Sequence, residues 1–106
     1  MIDVEKLTNP EVQALVRAIN AGDRLAFSEA LSTDATMSDD GTDRDLMPWA
    51  EREIFASHGH LDVETESDDG LSLVARYRND QWGEMRTAWR FTVSGGLISR
   101  FDTGQA

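Results

Sequence analysis

The sequence predicts an α+β fold: three helices, mostly N-terminal, packed on one face of a curved mixed/antiparallel sheet. Three observations carry this. Apolar residues recur at helical spacing in the first half of the chain, with one strand-like interruption. From Leu61 onward the apolar period is two. The alternating runs are separated by short turn signals, Asp68-Asp69-Gly70, Asn79-Asp80-Gln81-Trp82-Gly83 and Ser94-Gly95-Gly96. The expected order is ααβαββββ in a single domain spanning residues 1–106.

Asn9-Pro10 reads as a helix start, with Pro at the first helical position and Glu11 in the first turn. Val12, Leu15, Val16 and Ile19 then form one apolar face, and Gly22 stands where a left-handed residue ends a helix. Asp23 caps a second short helix, whose apolar residues Leu25, Phe27, Ala30 and Leu31 carry it to about Ser32. Thr33–Asp39 changes period, with Ala35, Met37 and Asp39 on one face, and Gly41 breaks the strand. Thr42-x-x-Asp45 reads as a capping box, or Asp45 is itself the cap. Leu46, Trp49, Ala50 and Ile54 give a third helix ending near Ser57, with Pro48 tolerated in its first turn.

Strands follow at Leu61–Ser67, Leu71–Arg78, Glu84–Val93 and Leu97–Thr103. Carrying parity through the hairpins puts Leu61, Val63, Leu73, Tyr77, Thr87, Trp89, Phe91, Leu97, Ser99 and Phe101 on one face. The other face collects five acids and five arginines, with Val74, Ala88 and Ile98 as its hydrophobic members. Cross-strand pairs such as Asp62 with Arg76 balance it.

Composition narrows the function. The chain has 20 acids against 10 bases, a formal net charge of −10, and no cysteine. Disulfides, thiolate nucleophiles and cysteine metal sites are excluded. The acidic balance argues against nucleic acid or an anionic membrane as partner. No apolar run reaches membrane-spanning length and no export signal is visible at the N-terminus, so a cytoplasmic location is expected.

The run Arg17-Ala18-Ile19-Asn20-Ala21-Gly22-Asp23, followed by Phe27, Leu31 and Asp34-Ala35-Thr36-Met37-Ser38-Asp39, resembles the start of the nuclear-transport-factor-two-like superfamily. Its SnoaL-like polyketide cyclases and ketosteroid isomerases are small bacterial branches. The run Trp89-Arg90-Phe91, a Gly-Gly turn, and Leu97-Ile98-Ser99-Arg100-Phe101 is similar to that family's closing hairpin. The resemblance spans nearly the whole chain. It implies a cone-shaped α+β barrel with a pocket inside, and relatives that pair through the outer sheet face, so a homodimer is an expectation. The fold hosts isomerases, dehydratases, cyclases, hydrolases and binding modules. By position, Asp39 falls where ketosteroid isomerases keep their catalytic base. Leu15 and Thr87 fall where those enzymes keep oxyanion-hole donors, so that donor set is lost or weakened here.

Asp39 is the sharpest candidate, either a pocket carboxylate able to act as general base or acid, or a wet cap at the end of its strand. Trp49, Tyr77, Thr87, Trp89, Ser99 and Phe101 would line the same cavity, or serve as plain core. His58 is a candidate acid/base at the pocket mouth. His58-Gly59-His60 resembles a metal-binding pattern, but its spacing fixes no third ligand, and no metal is expected. The acidic run Asp39–Asp45 lacks the closing Glu of a calcium loop. Trp82, in a turn, either closes the pocket mouth, anchors a partner subunit or folds over the sheet edge. No cofactor is implied, since no glycine-rich phosphate loop is present. The resulting expectation is a SnoaL-like domain that binds a hydrophobic small molecule, with acid/base catalysis through Asp39. The alternative is a non-catalytic binding module of the same fold.

Overall fold

Asn9 starts the first helix as its sequence requires. In a computed structural model describing residues 1–106, its Oδ1 accepts the Val12 backbone N–H at 3.0 Å. Helix α1 (Pro10–Ala21) ends at Gly22, whose φ of +65° is the left-handed value glycine adopts freely. Asp23 caps α2 (Arg24–Glu29) by accepting the Ala26 N–H at 3.0 Å. This helix is shorter than the periodicity predicts. Leu31 already opens β1, and Leu25 is 71% exposed instead of packed. Phe27 is the residue of α2 that enters the core, edge-on to Phe55 with ring centroids 5.2 Å apart.

Strand β1 (Leu31–Asp39) turns through Asp40 and Gly41, at φ +49° and +83°, into β2 (Thr42–Arg44). Two consecutive positive φ values make the tight mirror-image turn that hairpins favour. The predicted capping box is therefore corrected: Thr42 to Arg44 are strand, and Asp45 sits at the next helix start without a side-chain cap bond. Helix α3 (Leu46–Ala50) continues into a wider i→i+5 turn over Glu51–Phe55, closed by Ala56 N–H on the Glu51 carbonyl at 2.8 Å. The widening releases helix carbonyls to the sheet. The Glu53 carbonyl accepts the Tyr77 hydroxyl and, at 2.8 Å, the Asn79 side-chain amide.

Strands β3 (His60–Glu66), β4 (Ser72–Asn79), β5 (Gly83–Ser94) and β6 (Leu97–Gln105) complete a sheet of order β2-β1-β6-β5-β4-β3. The sheet is mixed, because β1 runs parallel to β6 while every other neighbouring pair is antiparallel. Asn20 ties α1 to the far edge: its side chain donates to the Leu61 carbonyl at 2.9 Å and accepts the Leu61 N–H at 2.8 Å. Between helices and sheet lies the core, with Leu15, Phe27, Met37, Leu73 and Phe101 fully buried.

Two register expectations fail: the β3–β4 pairing shifts between Val63 and Thr65, which brings Glu66 opposite Leu73 and not onto the outer face, and β6 carries a bulge. Thr92 faces Arg100, but Val93 faces Ile98, so Ser99 is an extra residue on β6. Its hydroxyl donates back to the Thr92 carbonyl at 3.2 Å. The bulge turns Ile98 inward to full burial and leaves Leu97 37% exposed, the reverse of strict alternation. On the outer face Asp62 lies opposite Arg76 as predicted, yet its ion pair runs diagonally to Arg78 at 3.0 Å. Glu64 reaches across β4 to Arg86 on β5, and Asp102 pairs with Arg100 two residues away on its own strand.

Candidate functional site

Asp39 ends β1, and Trp49 stands on α3, which the β1–β2 hairpin delivers to the open end of the sheet. Trp49 Nε1–H donates to Asp39 Oδ2 at 3.1 Å. The carboxylate is half-buried and its other oxygen has no protein partner. Both residues belong to the wall of a cavity of about 390 Å³ that also contains Tyr77, Thr87 and Trp89. The structure thus brings together five of the eight predicted site residues.

The other three lie elsewhere. Phe101 is fully buried behind the wall, 6.0 Å from the Trp49 ring and 5.7 Å from Trp89, and is core. Ser99 is spent on its bulge. His58 is on the surface with a φ of +56°, and its Nδ1 meets Asp80 Oδ2 at 2.6 Å. His60 turns instead to Asp62 at 3.0 Å, and no three metal-ligating side chains converge. Leu15, at the position of a family oxyanion donor, is buried in the core.

Sequence reasoning missed several wall residues: Asp40, Arg44, Glu53, Asn79, Met85 and Gln105. Glu53 is the most informative. Its carboxylate Oε2 accepts the Trp82 indole N–H at 2.9 Å, which seats Trp82 at the cavity mouth although that side chain is largely exposed. The detectable signal was the pair Tyr77 and Asn79, two polar residues on one strand face that each required an acceptor.

Most donors of the aromatic wall are already engaged, while the Arg44 guanidinium and the Thr103 hydroxyl have no protein partner. Tyr77 donates to the Glu53 carbonyl, Thr87 to the Ala75 carbonyl at 3.3 Å, and Trp89 Nε1–H to Thr87 Oγ1 at 2.8 Å. Trp49 and Trp82 donate to carboxylates. Burial pushes the Tyr77 phenol up to about 12, and the nearby Glu53 charge adds to this, against the Asn79 hydrogen bond. The phenol stays protonated near neutral pH. A second, larger depression of about 720 Å³ lies on the outer sheet face among Ser38, Ser72, Val74, Arg90 and Asp102. Asp39, Trp49, Tyr77 and Thr87 take no part in it.

No protein-family model matches the sequence, and no curated protein matches it. Solved structures do. A candidate polyketide cyclase from Sinorhizobium meliloti superposes with a TM-score of 0.76 at 20% identity, over 96% of this chain and 99% of that one. An NTF2-like protein from Cytophaga hutchinsonii gives 0.71 at 13% identity, over 100% and 92%. A computationally designed 17-OHP binder gives 0.71 at 16% identity, over 88% and 86%. Taken with the mixed sheet closed over its helices and a cavity at the open end, these likenesses show that the chain has the nuclear-transport-factor-two-like fold of the SnoaL-like and ketosteroid-isomerase-like proteins.

Proposed function

We propose that this protein binds a small, largely apolar molecule in the mouth of its cone, with Asp39 meeting the molecule's polar group. One observation carries the reading: a cavity of about 390 Å³, walled by aromatic side chains, has on its wall a carboxylate with one oxygen unspent. Relatives of the same fold include a candidate polyketide cyclase and a designed 17-OHP binder, which supports a small organic ligand. Proton transfer between Asp39 and the ligand is the chemistry the site is equipped for.

The non-catalytic reading has its own support. An oxyanion developing on a bound carbonyl would find the Tyr77 and Thr87 hydroxyls and the three indole N–H groups of the wall already committed to protein acceptors. Binding is therefore the primary role in this reading, and any acid/base step at Asp39 works without those five donors. The test is a fragment screen by NMR, repeated on Asp39→Asn, which keeps an acceptor for Trp49. Hits that contact the cavity weaken by about tenfold in the variant. Hits indifferent to both Asp39→Asn and Trp49→Phe would overturn the assignment.

A further inference from the structure

Every polar wall group whose partner is known either accepts or has its proton spent. Six of the wall's donor side chains, Trp49, Tyr77, Asn79, Trp82, Thr87 and Trp89, point an N–H or O–H into protein acceptors. What they leave facing the space is aromatic surface, whose π-faces carry negative charge density. Among the charged wall residues, Asp39, Asp40 and Glu53 stand against Arg44 alone, in a chain of formal net charge −10. Arg44 lies on the short outermost strand β2, is exposed and forms no ion pair. Asp39 leaves one oxygen unspent, and Asp40 uses only Oδ1, on the Gln105 N–H at 2.9 Å. Glu53 accepts Trp82 through Oε2 and lies 3.6 Å from Arg52 Nε through Oε1.

Resting on the small-molecule reading above, we infer that the cavity selects organic cations: an amine or quaternary ammonium on an apolar body, its charge set between Asp39, Glu53 and the Trp49, Tyr77, Trp82 and Trp89 rings. Three physical terms favour this class over a neutral carbonyl compound or an anion. A cation over aromatic faces is attracted by their negative charge density, more strongly the better it is desolvated. An ammonium N–H supplies donors that the Asp39 and Asp40 carboxylates accept. The excess of acids at the mouth raises the local concentration of cations and lowers that of anions.

The experiment titrates the protein with three probes of matched size, phenethylammonium, 2-phenylethanol and phenylacetate, following the indole N–H signals of its three tryptophans by NMR. Phenethylammonium is expected to bind about tenfold more tightly than the alcohol, and phenylacetate more weakly than either. Asp39→Asn and Glu53→Gln each reduce the cation's advantage severalfold and leave the alcohol unchanged. Asp68→Asn, which removes an exposed acid away from the cavity, leaves all three affinities as they were. An alcohol or carboxylate that binds as tightly as the ammonium overturns the cation inference while the small-molecule reading stands. A cation advantage that Asp68→Asn lowers as much as Asp39→Asn assigns it to net charge and also overturns the inference. If none of the probes moves the indole signals, both readings fail.

Discussion

Gly59 shows how one side chain dictates a backbone position. A Cβ at that residue would overlap the Tyr77 hydroxyl and stand 3.0 Å from Ile54 Cα. Gly59→Ala is expected to cost about 1–3 kcal/mol by overpacking, and placing it on a Tyr77→Phe background should recover part of that loss in a denaturation cycle. Full additivity of the two substitutions would mean that the hydroxyl is not the obstacle. Tyr77 also makes a pH prediction. Its phenol ionises near 10.0 in the unfolded chain and at about 12 in the folded one. The folded state holds the proton more tightly, so this stability is complete below pH 10 and is lost as pH climbs from about 10 to 12. Tyr77→Phe should remove that decline. As the chain has one tyrosine, its phenolate absorbance gives the folded value directly. At this scale the sequence was informative where strand alternation points Asp39, Tyr77, Thr87 and Trp89 inward and helical spacing does the same for Trp49; all five share one wall. It was uninformative for Glu53, which between Arg52 and Ile54 looks like any solvent-facing helix acid. Only the widened turn, which no local pattern announces, aims its carbonyl at the sheet.

Among the elements, α1 and the hairpins were legible because their signals are local: an Asn-Pro start, a glycine stop, and turns bounded by alternating runs. Strand β2 was hidden by length. Three exposed residues, Thr42 to Arg44, carry no apolar pattern, and the Asp40-Gly41 turn that announces them sat inside an acidic run. The β6 bulge was invisible for another reason. Leu97 and Ile98 are both good strand residues, and which one faces inward is decided by Ser99 slipping out of the ladder. Two substitutions separate the alternatives. Ile98→Ala should cost about 2–5 kcal/mol, the price of emptying a packed site, and Leu97→Ala less than about 1 kcal/mol. The reverse order in chemical denaturation would restore the regular register.

For the whole molecule, the acids greatly outnumber the bases, and the seven arginine–carboxylate pairs lie at or near the surface. Such pairs contribute little individually, whereas ten uncompensated negative charges on one small domain repel each other throughout. Screening should therefore help more than it harms. Stability measured by denaturation is expected to rise as sodium chloride shortens the screening length from about 30 Å to about 10 Å. A fall would mean that the outer-face ladder of Arg78, Arg86 and Arg100 outweighs the repulsion.

All three tryptophans of the chain, Trp49, Trp82 and Trp89, border the one cavity, and they sit there at different depths. The intrinsic fluorescence of this protein is consequently a report on a single place. Its emission has a buried component from Trp49 and Trp89 and a wet component from Trp82. Occupancy can be followed without a label, and the wet component should respond first, since an entering molecule meets Trp82 at the rim. The same economy makes emission a poor witness to the rest of the fold. The α1 face and the Asn20 tether to β3 contain no tryptophan, so loss of the helical layer has to be followed by circular dichroism.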